Sequence, residues 1–275
     1  MSERVGLIKD GAVALIELRR PERHNALDAQ TAEALLARCQ EVARDEGVRA
    51  VVLAGQGPSF GVGGDLAELQ VDAPRAARRI IEPLHAALAL LADMDAPVIA
   101  RLRGIVAGGS MSLALGCDLA IASTQTRFSF AYAGIGTTAD VGGSWHLPRL
   151  VGLRKAMEIA LLNEPIDAPG ALALGLISRV VEDDRLDAEV ANLAGTLAQG
   201  PTQAFGRMKR LLRQAGTHRL PEHLAAELAS FVECAGTNDF REAVDARLAK
   251  RHLASSAASR RTASTKRRPA ERAGR

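Results

Sequence analysis

Two strand-like apolar runs in this chain each deliver the backbone into a glycine-rich turn, and that repetition limits the possible folds more than any other feature. Ala50-Val51-Val52-Leu53-Ala54 leads to Ser59-Phe60-Gly61-Val62-Gly63-Gly64-Asp65-Leu66, and Val98 to Arg103 leads to Gly104-Ile105-Val106-Ala107-Gly108-Gly109-Ser110. Glycine lets the main chain approach a ligand closely with its N–H groups free, and a turn that opens a helix adds the positive end of the helix dipole. Together the two turns read as two halves of an oxyanion hole, a pair of donors for negative charge developing on an oxygen. Singly, each is also the ordinary mark of a change in chain direction.

The flanking patterns make this a repeated α/β unit. Val13–Leu18 reads as a strand, Ala29–Arg44 as an amphipathic helix and Ala50–Ala54 as a buried strand. A second round follows with a helix over Ile80–Ala92, a strand over Val98–Arg103, and a helix from about Ser110 to Gly116. Leu119–Ser123 starts a third, with shorter signals to Val181. Such alternation predicts a layered α/β fold. The segment Gln70–Arg79, with Asp72, Pro74 and three arginines, predicts a loop beside the pocket. Beyond Gly200-Pro201 the pattern becomes helical, over Thr202–Gln214, Pro221–Cys234 and Asp239–Leu253. The expected organisation is a catalytic core over 1–200, a helical region over 201–253 and a disordered basic tail over 254–275.

Composition narrows the function classes. Of 275 residues 47% are apolar but only 3% aromatic, so the core must be built from Ala, Leu, Val and Ile. No apolar run reaches the roughly 18 residues that span a bilayer, and the polar start Met1-Ser2-Glu3-Arg4 is unlike a signal peptide, so no membrane association and a cytoplasmic location are expected. Cys39, Cys117 and Cys234 form no C-x-x-C, which argues against a disulfide framework or a metal site. The basic balance is local. Residues 254–275 hold seven Lys/Arg and one acid, whereas the whole chain carries +3, so the remainder is mildly acidic and no specific nucleic-acid partner is expected.

Five separated motifs, in order, resemble the crotonase (enoyl-CoA hydratase/isomerase) superfamily. They are Arg20-Pro21-Glu22-Arg23-His24-Asn25-Ala26-Leu27, the turn ending at Asp65, Ala96-Pro97-Val98-Ile99-Ala100 before the second turn, Cys117-Asp118 after it, and Gly142-Gly143-Ser144 with Leu147-Pro148-Arg149. The resemblance covers about residues 5 to 250 and implies a spiral of ββα units with C-terminal helices that assemble a homotrimer or a dimer of trimers. It also implies an acyl-CoA thioester substrate, with coenzyme A entering as part of it and no separate cofactor or metal.

Residue by residue, the resemblance makes the N–H groups of Gly64 and Gly109 the oxyanion donors. It assigns Arg23, Ala26, Val62, Asp65, Leu66, Ser112 and Tyr132 to substrate binding. Asp65 also reads independently as a turn or helix-cap carboxylate. The departures are as informative. Hydratases of the family carry catalytic glutamates where this chain has Ser112 and Tyr132, and neither side chain is a carboxylate base near neutral pH. Asp140, just before Gly142-Gly143, stands where related isomerases carry a catalytic aspartate. Amid Phe128, Phe130, Tyr132 and Trp145 its pKa is expected to rise by desolvation, as suits a base that removes a proton and returns it elsewhere. In 4-chlorobenzoyl-CoA dehalogenases of the superfamily the same aspartate is a nucleophile, a Trp stands where Tyr132 does, and His85 falls near a family histidine. Here His85 reads as an ordinary residue at a helix edge. Leu147-Pro148-Arg149-Leu150-Val151-Gly152 brings the resemblance nearest to phenylacetate-pathway isomerases. The expected activity is therefore a double-bond shift in an enoyl-CoA, with a single-carboxylate hydratase and an inactive acyl-CoA-binding subunit as alternatives.

Overall fold

The computed structural model describes residues 3–249, which form two compact units divided after Arg213. In the first, β1 (Val5–Asp10) and β2 (Val13–Leu18) make a hairpin, and α1 (Ala29–Ala43) leads to β3 (Ala50–Gly55). Then come α2 (Leu66–Leu69), α3 (Ala73–Asp93), β4 (Val98–Leu102), β5 (Ile105–Ala107) and α4 (Gly108–Leu115). After β6 (Leu119–Ser123) and β7 (Arg127–Ser129) follow α5 (Gly143–Val151), α6 (Leu153–Leu162), β8 (Ile166–Asp167) and α7 (Ala168–Ala173). The unit ends with β9 (Arg179–Val181), α8 (Leu186–Ala198) and α9 (Thr202–Gln214).

A six-stranded sheet runs in the order β1-β2-β3-β4-β6-β9, parallel except for the first hairpin. The unbroken apolar run of β3 follows from burial on both faces. Val51 and Leu53 pack with Leu35 of α1 and Leu84 of α3 in the main core, whereas Ala50 and Val52 face Leu186, Val190 and Ala194 of α8. A second sheet, β5-β7-β8, begins where Gly104 turns the chain out of the first. Gly104 has φ +57°, and a Cβ there would collide with the Pro58 carbonyl, so only glycine fits.

One expectation changes. Residues 73–79 are not a loop but the first turns of α3. Asp72 caps that helix, its Oδ1 accepting from Arg75 N–H at 3.4 Å, and Pro74 sits in its first turn, so the residues that suggested a loop are a helix start signal. The first compact unit extends through α9 to Arg213. Lys209 on α9 donates to Asp118 at 2.8 Å and to the carbonyls of Leu91 and Ala96, and Arg213 pairs with the other Asp118 oxygen at 2.8 Å, which ties α9 to the sheet.

In the second unit, α10 (Leu220–Ala235) opens with Glu222 accepting from the Arg219 N–H at 3.0 Å, and a further helix occupies 238–249. The expected tail over 254–275 lies outside the described residues. Among the described residues no helix is long and apolar enough to cross a membrane.

Candidate active site

The two glycine turns meet because the chain between Gly61 and Asp65 is laid as a ribbon between two neighbours. On one side Leu27 donates to Gly63 O at 2.8 Å and accepts from Asp65 N–H at 2.9 Å. On the other, Gly61 donates to Ile105 O at 3.1 Å and accepts from Ala107 N–H at 2.9 Å. Ser110 joins the turns directly, its buried Oγ accepting the Gly63 N–H at 3.1 Å. A Cβ at Gly63, where φ is +89°, would lie 3.1 Å from the Gly109 nitrogen, so the turns touch along their main chains. This pattern uses the N–H groups on either side of Gly64. Among the described residues those of Gly64 and Gly109 donate to no protein acceptor, and Gly109 lies in the first turn of α4.

Both glycines line a cavity of about 520 Å³ with Val62, Leu66, Tyr132 and Asp140, closed on one side by Ala77, Ile80 and Ile81 of α3. Among its lining residues Asp140 is the one acid. A Cβ on Gly109 would stand 3.3 Å from Asp140 Oδ1, so the carboxylate lies close against Gly109. Tyr132 donates its hydroxyl to Asp140 Oδ1 at 2.5 Å and lies 2.8 Å from the Ser112 Oγ. Burial pushes the Asp140 pKa above the usual carboxylate range, while the Tyr132 bond acts against that rise. The Tyr132 phenol is itself driven well above its ordinary value, first by burial and then by the Asp140 charge.

Asp140 sits at the head of a tight turn. Gly143 N–H donates to Asp140 O at 2.8 Å, and both central residues have positive φ, +46° at Val141 and +74° at Gly142. A fully buried β-branched residue in that region is strained, on the order of 1–3 kcal/mol. The Val141 N–H donates to His85 Nε2 on α3 at 3.1 Å.

A family model described as Enoyl-CoA hydratase/isomerase matches residues 9–254. The chain belongs to the enoyl-CoA hydratase/isomerase family. It is 36% identical over 245 residues to 1,2-epoxyphenylacetyl-CoA isomerase of Escherichia coli K12, covering 87% of this chain and 93% of that one. It is 37% identical over 239 residues to a probable enoyl-CoA hydratase of Rhodobacter capsulatus, covering 87% and 92%. A solved structure of a putative enoyl-CoA hydratase/isomerase from Mycobacterium abscessus superposes with a TM-score of 0.85 at 37% identity, over 90% of this chain and 96% of that one. The fold is therefore the crotonase fold, and the protein is an acyl-CoA enzyme of this family whose relatives carry both isomerase and hydratase names.

Within that family frame, Val62, Gly64, Leu66, Gly109, Tyr132 and Asp140 come together at the cavity. The other expected site residues lie off its wall. Arg23 is exposed and Ala26 is buried, neither lining it. Asp65 caps α2, its Oδ1 accepting from Ala67 N–H at 3.1 Å. Ser112 is fully buried behind Tyr132, because α4 is enclosed on all sides and its hydroxyl is bonded to the phenol. The aromatic surround also differs from expectation. Phe128 and Phe130 are core residues, Phe130 packing edge-on to Tyr132 at 4.9 Å, and Trp145 is 39% exposed beneath the Arg149 guanidinium.

Three residues outside the sequence-based site hold it together. Arg20, nearly buried, donates to Ala26 O at 2.7 Å and pairs with Asp28 at 3.1 Å and Asp65 at 3.0 Å, tying the first motif to the first glycine turn. Asn25 donates to Ser59 O at 2.7 Å and accepts from Arg20 N–H at 2.9 Å. His85 is the third. Arg20 and Asn25 belong to the motif that carried the resemblance and His85 falls near a family histidine, so a signal was present for all three, but no local pattern points to the bond from His85 to Val141, 56 positions away.

Proposed function

We propose that the protein is an enoyl-CoA isomerase. The substrate thioester oxygen lies between the Gly64 and Gly109 N–H groups, and Asp140 removes a proton from the acyl chain. The electron pair left behind delocalises to the thioester oxygen as a dienolate, and the protonated Asp140 returns the proton to another carbon. The oxyanion donors stabilise the charge where it develops. A raised pKa makes the carboxyl a stronger base toward carbon and a competent acid on the return. The observation that carries this reading is that Asp140, against Gly109, is the one carboxylate lining the cavity, while Ser112 and Tyr132 are bonded to one another where a hydratase would need glutamates. A water held by Ser112 would need a free hydroxyl at the cavity wall, and Ser112 lies behind it.

Coenzyme A enters as part of the substrate, and no further cofactor is proposed. The proposed assembly is a homotrimer or a dimer of trimers in the cytoplasm. It is supported by the apolar stripe Leu220, Leu224, Leu228 and Phe231 on α10, each more than half exposed in the single chain. Size-exclusion chromatography with light scattering tests it, a monomer being the contrary result.

A panel of 2-enoyl-, 3-enoyl- and ring-derived CoA esters, incubated in D₂O and read by mass spectrometry, tests the reaction. Deuterium exchange without added water is the expected result. Gain of water would establish hydration instead, and neither change would mark an acyl-CoA-binding subunit.

A further inference from the structure

We infer that His85 is a positioning residue for Asp140, acting through the main chain of Val141. The inference rests on the reading of Asp140 as the base. Val141 is fully buried at φ +46°, a conformation its branched side chain resists, and it follows directly on Asp140. Such a turn persists where its surroundings over-determine it. Gly143 N–H fixes the Asp140 carbonyl from one side, and His85 Nε2 accepts the Val141 N–H at 3.1 Å from the other. To accept, the ring must carry its proton on Nδ1 and leave Nε2 with a free lone pair.

The route to the site is specific. His85 is exposed and does not line the cavity, so it meets the acyl group only by way of the turn. It lies four residues beyond Ile81 on α3, on the face of the helix whose Ala77, Ile80 and Ile81 wall the cavity. One helix thus bounds the acyl space and buttresses the loop that presents the carboxylate. Displacing the carboxylate by a fraction of an ångström from Gly109 costs turnover while leaving CoA binding alone.

The test compares His85→Leu, which removes the acceptor, with His85→Gln, whose side-chain carbonyl can accept the same N–H without an imidazole. Since His85 is exposed, neither change disturbs the core. Hydrogen–deuterium exchange, read by mass spectrometry on peptides spanning 139–143, is expected to be at least about tenfold faster in His85→Leu and near wild type in His85→Gln. On whichever of crotonyl-CoA, trans-3-hexenoyl-CoA or a ring-derived CoA ester turns over fastest, kcat should fall about ten- to a hundredfold in His85→Leu with KM within about twofold. Glutamine should restore kcat to within about threefold. Equal exchange and equal kcat in all three proteins overturn the inference, and so does equal loss of kcat in both variants, which would make the imidazole itself the working group. Asp140→Asn is the control. Turnover retained there overturns the base and the inference together, whereas an inert Asp140→Asn beside a fully active His85→Leu overturns the positioning role alone.

Discussion

The two walls of the cavity are built by different means. The donor wall, named for the roles proposed for Gly64 and Gly109, is mostly main chain held by main chain, with Leu27 on one side of the Gly61–Asp65 ribbon and Ile105 and Ala107 on the other, and the Ser110 hydroxyl joining the two turns. The base wall is a strained turn held by side chains from elsewhere, with Tyr132 on the carboxylate and His85 on the following amide. Backbone ladders are tolerant of which side chains they carry. A side-chain network is not, and the base wall is accordingly where single substitutions should act most selectively on turnover.

The strongest break of the comparison is Asp140→Asn, which keeps the shape and removes the base. Turnover is expected to fall about 10³-fold or more while acyl-CoA binding, measured by calorimetry, is retained. Wild-type turnover in that variant would dismiss the assignment. Gly63→Ala attacks the other wall, because its Cβ at φ +89° would press on the Gly109 nitrogen and the Ala107 carbonyl, each 3.1 Å away. A loss of about 10²-fold in kcat is expected from displacing one donor, and retained activity would show that the turns need not touch.

Tyr132→Phe sharpens the contrast by removing one bond to the carboxylate. That bond holds the Asp140 pKa down against its burial, so its loss should raise the pKa further. Since the base works deprotonated, the acid limb of kcat/KM should move to higher pH, with a loss of about tenfold below the shifted limb. An unmoved or lowered limb would contradict the role of the phenol. Ser112→Ala should be the mildest change, within about threefold in kcat, because the hydroxyl meets the phenol behind the wall. A loss above about tenfold would instead favour a catalytic water.

Most of the fold and the two glycine turns were legible along the chain. Val13–Leu18, Leu119–Ser123 and Thr202–Gln214 have the limits their patterns predict, because continuous apolar runs and amphipathic spacing are local consequences of burial. The glycine turns were legible for the same reason, since close backbone approach demands glycine wherever it occurs. The start of α3 was misread because Asp72 and Pro74 serve equally in loops and in helix caps, and local sequence does not separate the two.

The base wall was legible only in part. Asp140 and Tyr132 stand out by family position, but that Ser112 sits behind Tyr132, that Trp145 points outward and that His85 reaches the Val141 amide all follow from how α3, α4 and α5 pack. Periodicity and glycine placement record what each segment buries against its nearest neighbours, so sequence alone carried the layered fold and the two glycine turns. Bringing His85 across 56 residues to a strained amide depends on the direction of side chains between elements, and no local pattern encodes that direction.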